Sequence, residues 1–319
     1  MLIDKFGRKI EYLRISVTDR CNFRCIYCQS RKPVKFLPPS ELLTYEEIEE
    51  LVKTAAELGV KRVRITGGEP LGRKNIEFLI ERIARISGIE DVSLTTNGYL
   101  LYEKAEILKK AGLKRLNISL DTLSPEKFKK ITGGFDFQKI WRGILKAHEL
   151  GFEPLKLNVV VIRGLNDDEI LELAKLTFIY PWEIRFIEFM PVGKNENWSE
   201  ECVVTVREIR KILENYSPLE EVQSFGGGPA RVFRWKEAVG KIGLISPLSE
   251  HFCGRCNRFR ITADGRLRTC LFSDQEINLK DYLRGKKGSL KEAFYLALSI
   301  KPEKRELKGT KREMRAIGG

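Results

Sequence analysis

The segment Leu13-Arg14-Ile15-Ser16-Val17-Thr18-Asp19-Arg20-Cys21-Asn22-Phe23-Arg24-Cys25-Ile26-Tyr27-Cys28 reads as a short strand that runs straight into a loop carrying three cysteines. The alternation of apolar and polar residues over Leu13 to Val17 predicts the strand. Cys21, Cys25 and Cys28 follow the spacing C-x3-C-x2-C, so three thiols within eight residues can wrap one soft metal centre. A four-iron cubane ordinarily takes four cysteines, so three leave one iron open for a ligand that the protein does not supply. The alternative is a zinc site that borrows a distant fourth ligand. Zinc knuckles more commonly begin C-x2-C, and the chain has only His148 and His251 to lend, so the open iron–sulfur site is favoured.

Outward from this strand the pattern repeats. Leu13 to Val17, Val60 to Ile65, Val92 to Thr95, Leu116 to Leu120, Leu157 to Ile162 and Ile184 to Phe189 read as strands. Helical patterns such as Tyr45 to Leu58, Ile76 to Ile86 and Asp167 to Phe178 separate them. Strand and helix in alternation predict an α/β fold with a parallel sheet, and six units fall short of a closed eight-stranded barrel, hence a partial (β/α)6 barrel. Ligands in such sheets bind beyond the carboxyl ends of the strands. Four segments there are polar or glycine-rich: Thr66-Gly67-Gly68-Glu69-Pro70, Thr95-Thr96-Asn97-Gly98, Ser119 with Asp121, and Glu188 with Met190. Any one reads as an ordinary turn, whereas four at corresponding places point to a site. Phe225-Gly226-Gly227-Gly228-Pro229 breaks the pattern, so the expected division is a barrel over residues 1–225 and a smaller C-terminal domain over residues 226–319.

At 319 residues the chain is long enough for about two domains with a substantial core. A composition of 42% hydrophobic and 32% charged residues argues against wholesale disorder, and no run of about 18 apolar residues offers a membrane span. With no apolar signal segment after Met1 either, a cytoplasmic protein is expected. The net charge of +13 favours a polyanionic partner without choosing among nucleic acid, nucleotide and phosphate. Residues 301 to 315 hold seven Lys or Arg and three Glu, which reads as a solvated tail.

Seven cysteines are an odd number, poorly explained by disulfides and better explained by metal ligands or reactive thiols. Cys253, Cys256 and Cys270 form a second triplet, C-x2-C-x13-C, with His251 two residues ahead. Spacing alone leaves this set open between zinc and iron–sulfur. Cys202 belongs to neither set and is read as a thiol without a role.

Cys21-x3-Cys25-x2-Cys28 followed by a Gly-Gly-Glu-Pro segment after a strand resembles the radical S-adenosylmethionine (SAM) enzymes. Arg14 to Cys21, Arg64 to Leu71, Leu94 to Gly98, Asn117 to Asp121, Arg185 to Met190, the second triplet and the terminal Gly318-Gly319 narrow this resemblance across nearly the whole chain. They resemble the GTP 3′,8-cyclase family of molybdenum cofactor biosynthesis. The resemblance implies two [4Fe-4S] clusters, one on each cysteine triplet, with SAM on the first. It implies SAM contacts at Tyr27, Gly68, Ser119 and Met190, and GTP contacts at Arg14, Arg64, Thr95, Lys156, Arg258 and Arg260. Guanidinium forks suit phosphate because they meet its oxygens bidentately. Arg62 is a weaker additional basic candidate, and Gly318 and Gly319 are implied to reach the active site and assist the reaction. A glycine at position 68 is expected to let backbone approach the ligand. The family also implies GTP as substrate, an electron donor, cyclic pyranopterin monophosphate synthase as the next enzyme, and a homodimer.

Two rival readings start from the same residues. A zinc-stabilised nucleic-acid-binding protein would use the charge and the C-x2-C, but leaves the first triplet and the β/α units unexplained. A radical SAM enzyme acting on a peptide would generally bring more C-terminal cysteines and has no use for Arg258 and Arg260 beside the second set. A phosphate-binding P-loop fails because Gly67-x4-Gly72 is followed by Arg73-Lys74.

Overall fold

Each of the six expected strands forms, in a computed structural model that describes residues 1–28, 35–193, 196–223, 228–306 and 310–318. They are β1 (Tyr12–Ser16), β2 (Arg62–Thr66), β3 (Asp91–Thr96), β4 (Arg115–Ser119), β5 (Leu155–Val161) and β6 (Glu183–Glu188). Alternate residues such as Leu13, Ile15, Val63, Ile65, Leu116 and Ile118 are fully buried, as expected where branched and other apolar side chains pack on a pleated face. Between the strands come α1 (Tyr45–Glu57), α2 (Ile76–Ala84), α3 (Leu101–Lys110), α4 (Pro125–Thr132), α5 (Phe137–Glu149) and α6 (Ile170–Ile179). Their starts are set by local sequence. Thr44 and Glu47 satisfy each other's backbone amides at the start of α1, at 3.1 and 2.9 Å, and loss of such a cap costs about 1 kcal/mol.

The later elements are α7 (Val206–Tyr216), β7 (Leu219–Glu221), β8 (Arg231–Trp235), β9 (Lys241–Ile245), β10 (Arg258–Ile261), β11 (Arg266–Arg268) and β12 (Ile277–Asn278), then α8 (Leu279–Leu283), α9 (Leu290–Ser299) and α10 (Met314–Ile317). All twelve strands join one sheet in the order β12-β11-β10-β1-β2-β3-β4-β5-β6-β9-β8-β7. Both β10 against β1 and β9 against β6 are parallel, so the parallel run is two strands longer than the six-strand reading. The remaining outer pairs are antiparallel.

The expected division at residue 225 falls on residues outside the described ones. The chain beyond it extends both edges of the sheet, and Leu244, Phe259 and Ile261 share one apolar cluster with Leu13 and Ile15. Strands this short bury little alone, so they gain their apolar contacts by joining the existing sheet. Side chains from β1, β2, β6, β9 and β10 line one cavity, so the sheet curls until its two ends face each other.

Candidate active site

The loop after β1 places Cys21, Cys25 and Cys28 around one cavity with Tyr27, Gly68, Ser119, Asp121 and Met190. The loop is held from below by the Gly67-Gly68 turn: the Gly68 amide donates to Thr18 O and the Glu69 amide to Arg20 O, each at 2.7 Å. A Cβ on Gly67 would lie 2.8 Å from Thr18 O, and one on Gly68 would collide with the Arg20 carbonyl. The glycines therefore admit the cysteine loop, and Gly68 lines the cavity as well. Glu69 spans the floor, accepting from the amides of Leu71 and Asn97 and from Thr96 Oγ1 at 2.7 to 2.9 Å. Tyr27 Oη donates to Asp121 Oδ2 at 2.7 Å, and Asn97 Nδ2 lies 3.7 Å from Cys21 Sγ.

Burial dominates the titration of this cavity. It pushes Glu69 up to about 7 and Asp121 to about 6 despite their hydrogen bonds. Burial, with neighbouring negative groups, pushes Cys21 to about 11 and Cys28 to about 12. Thiols this reluctant to ionise alone are stabilised as thiolates by a metal cation. Thr95 Oγ1, on the same wall, is buried with no protein partner among the described residues, as expected of a wall built for a ligand.

The second cavity is lined by Cys253, Cys256 and Cys270 together with Arg14, Arg64, Arg185, Arg258, Arg260 and Arg305. Strand register brings the arginines together: Arg14 stands beside Arg64 on one side and Arg260 on the other. No carboxylate lines this cavity among the described residues. Burial and the neighbouring guanidiniums push Arg14 down, and the same two causes bring Arg260 to about 10. Burial opposes ionisation of the Cys256 thiol, yet Arg258 and Lys301 outweigh it and bring the thiol to about 7. Arg305 Nε and Nη1 and Thr269 Oγ1 are buried without a protein partner among the described residues. A crowd of buried cations with spare donors suits a polyanion.

The two cavities meet. Asn158, Ile187, Met190 and Met314 line both. The C-terminal tail closes over the junction: Arg315 Nη1 donates to Asp19 O at 3.0 Å, and Arg260 Nη1 donates to Gly318 O at 2.8 Å. Gly318 has φ +81°, and a Cβ there would collide with Thr66 Oγ1, so the tail can lie this deep only with glycine. Gly319 lies outside the described residues.

Both thiol triplets thus line their expected cavities, with Tyr27, Gly68 and Ser119 on the first and Arg14, Arg64, Arg258 and Arg260 on the second. Thr95 lines the first cavity, although the resemblance assigned it to GTP. Lys156 lines neither; it is buried one layer deeper and pairs with Glu183 at 2.8 Å, which also holds Arg185 at 2.6 Å. Arg62 pairs with Glu11 at 3.2 Å, away from both cavities. Cys202 accepts from Ser199 Oγ at 3.3 Å and faces neither. His251 lines the second cavity. Among the described residues no three His, Cys, Asp or Glu side chains close on a single-ion position. Sequence reasoning missed Arg185, Arg305, Asn158 and Met314. The signal for Arg185 was an arginine inside the otherwise buried Ile184-Arg185-Phe186 run.

The family model of the radical SAM superfamily matches residues 15–177, and that of Molybdenum Cofactor Synthesis C matches residues 182–307. The chain is 47% identical to the GTP 3′,8-cyclase of Pelotomaculum thermopropionicum, over 99% of each chain. It is 46% identical to that of Syntrophomonas wolfei, over the full length of both. Its fold is similar to that of Streptococcus suis SuiB bound to S-adenosylmethionine, with a TM-score of 0.61 at 18% identity over 90% of this chain and 68% of that one. It is also similar to methylornithine synthase, with a TM-score of 0.51 at 20% identity over 66% of this chain and 64% of that one.

Proposed function

The chain belongs to the radical SAM superfamily and, within it, to the GTP 3′,8-cyclases, and we propose that it converts GTP to 3′,8-cyclo-7,8-dihydro-GTP in the two joined cavities. This is the first step of molybdenum cofactor biosynthesis, to which the C-terminal family match also points. The observation that carries the reading is the junction itself: a three-thiol cavity with buried acids opens into a three-thiol cavity with buried arginines through Asn158, Ile187, Met190 and Met314.

Cys21, Cys25 and Cys28 would hold a [4Fe-4S] cluster with SAM beside it, and Tyr27, Gly68, Ser119 and Met190 line the space that SAM would take. When bound, that pair supplies a 5′-deoxyadenosyl radical by one-electron cleavage of SAM. Cys253, Cys256 and Cys270 would hold a second [4Fe-4S] cluster, which would help to bind the guanine of GTP. Arg14, Arg64, Arg258 and Arg260, joined by Arg185 and Arg305, take the triphosphate. Thr95 stands on the wall of the SAM cavity, where the nucleoside end of GTP arrives. Lys156 acts from below: its ion pair with Glu183 fixes the carboxylate that holds Arg185. Gly318 closes the junction and excludes water. The enzyme takes its electrons from a reduced donor protein, works as a homodimer in the cytoplasm, and passes its product to cyclic pyranopterin monophosphate synthase.

The test is mass spectrometry of anaerobically reconstituted, reduced protein incubated with SAM and GTP deuterated at the 3′ carbon, with ATP as control. Deuterium in 5′-deoxyadenosine, with GTP alone, is the expected result. Undeuterated 5′-deoxyadenosine would leave radical chemistry but sink the cyclase reading, and zinc in place of iron would sink both.

A further inference from the structure

Two buried cations that line neither cavity reach both segments that carry the second cysteine set. Lys301, 2% exposed, directs its ammonium to Thr269 O at 2.9 Å, Arg258 O at 3.3 Å and Cys256 Sγ at 3.6 Å. Thr269 immediately precedes Cys270. Arg8, 7% exposed, donates through Nη1 to Cys253 O and to Glu303 O, both at 2.9 Å, and through Nη2 to Pro302 O at 2.7 Å. Because Lys301, Pro302 and Glu303 are consecutive, one three-residue segment links the two cations.

The N-terminal segment is shaped to present that guanidinium. Asp4 pairs with Arg8 Nε at 2.7 Å and accepts from the amides of Phe6 and Arg8 at 3.0 Å. The turn between them closes through Gly7 at φ +77°. Lys301 has no carboxylate within ion-pair distance among the described residues, and a buried ammonium is tolerated only when its protons all find acceptors. Its acceptors are Cys256 itself, the residue before Cys270 and the carbonyl of Arg258, two residues after Cys256. Outer partners of this kind fix the geometry of metal ligands.

We propose that Arg8 and Lys301 are positioning residues, a two-cation clamp that holds Cys253, Cys256 and Cys270 as a ligand set before the metal centre is assembled. The proposal rests on the reading of the second cysteine set as a cluster site.

The test uses the full chain with Arg8→Gln, Lys301→Met and the conservative Lys301→Arg. In the cluster-free protein, hydrogen exchange at the Cys256 amide, which donates to Cys253 O at 3.1 Å, is read by mass spectrometry. It should quicken by about tenfold or more in Arg8→Gln and Lys301→Met and less in Lys301→Arg, with β2 to β5 unchanged as the check on folding. After anaerobic reconstitution, iron should fall from about eight to about four per chain in the first two variants, while 5′-deoxyadenosine formation from SAM persists. Unchanged exchange together with full iron would overturn the clamp. A chain carrying Cys21→Ser, Cys25→Ser and Cys28→Ser isolates the second set. If it takes up no iron with Arg8 and Lys301 intact, the cluster reading fails and the proposal with it, whereas iron that survives both substitutions there overturns the clamp alone.

Discussion

Around Cys21, Cys25 and Cys28 the buried charges are mainly carboxyls, with Glu69 driven up to about 7 and two of the thiols to about 11 and 12. Around Cys253, Cys256 and Cys270 they are arginines and Lys301, and the Cys256 thiol falls to about 7. The donor set is the same in both places, three thiols without a fourth. The surroundings differ in sign, and the sign selects the second guest: a sulfonium cation suits the acidic cavity and a triphosphate the basic one. Under the proposed function, cysteine spacing marks each soft-metal centre and the charges on neighbouring strands decide what shares it.

Substitutions confined to one cavity should break this comparison cleanly. Cys21→Ser has the largest expected effect, loss of SAM cleavage by more than about a thousandfold, with iron on the second set retained; iron counting and 5′-deoxyadenosine assay check it. Arg260→Ala should leave the first set and SAM cleavage in place and weaken GTP binding by about 10- to 100-fold, as loss of a charged hydrogen bond predicts. Equilibrium dialysis against GTP reads it, and wild-type affinity would count against the role of Arg260. Gly68→Ala forces a Cβ into the Arg20 carbonyl and should cost about 1–3 kcal/mol in a denaturant melt, with loosened iron at the first set only.

The smallest effect sharpens the contrast in sign. Burial raises Glu69 from 4.5 to about 7, so its contribution to stability is fully present below pH 4.5 and is lost as pH rises through about 7. Burial disfavours the Glu183 carboxylate too, but Arg185 and Lys156 overcome it and hold the group at about 2. Its contribution is present above pH 4.5 and is lost as pH falls toward 2. Urea melts of the wild-type chain against Glu69→Gln and Glu183→Gln, from pH 3 to 8, should diverge in opposite directions by on the order of 1–2 kcal/mol. Parallel curves would remove the distinction between the two environments.

Much of the fold was legible because local pattern carried it. The predicted strand Leu116 to Leu120 forms as Arg115–Ser119, and Ile184 to Phe189 as Glu183–Glu188. The one-residue displacement has a cause: the polar residues at these strand starts pair with neighbouring strands, Arg115 with Asp91 and Glu183 with Lys156, and so belong to the ladder. The helix expected from Asp167 begins at Ile170 because Asp167–Glu169 forms a tighter turn first. The pairing of β10 with β1 was not legible. It joins residues some 245 positions apart through the register Arg14↔Arg260, which no local period encodes. For the same reason the cysteine sets were visible as spacings, whereas the cluster of arginines, the depth of Lys156 and the side on which Thr95 stands depended on register between distant strands.

The position of β10 also bears on how the chain is made. β1 leaves the ribosome first, yet one of its two neighbours is complete only when residue 261 has been added. Until then β1 is the bare edge of an unfinished sheet, with Arg8 still waiting for Cys253, Pro302 and Glu303. The first cysteine loop and the turns that support it are synthesised within the first hundred residues, whereas the second cavity lacks its three cysteines, Arg258, Arg260 and Arg305 until the chain is nearly whole. The two thiol sets are thus separated in time of assembly as well as in charge, and a chain interrupted late in synthesis would carry the first cysteine loop without the second set and the arginines beside it.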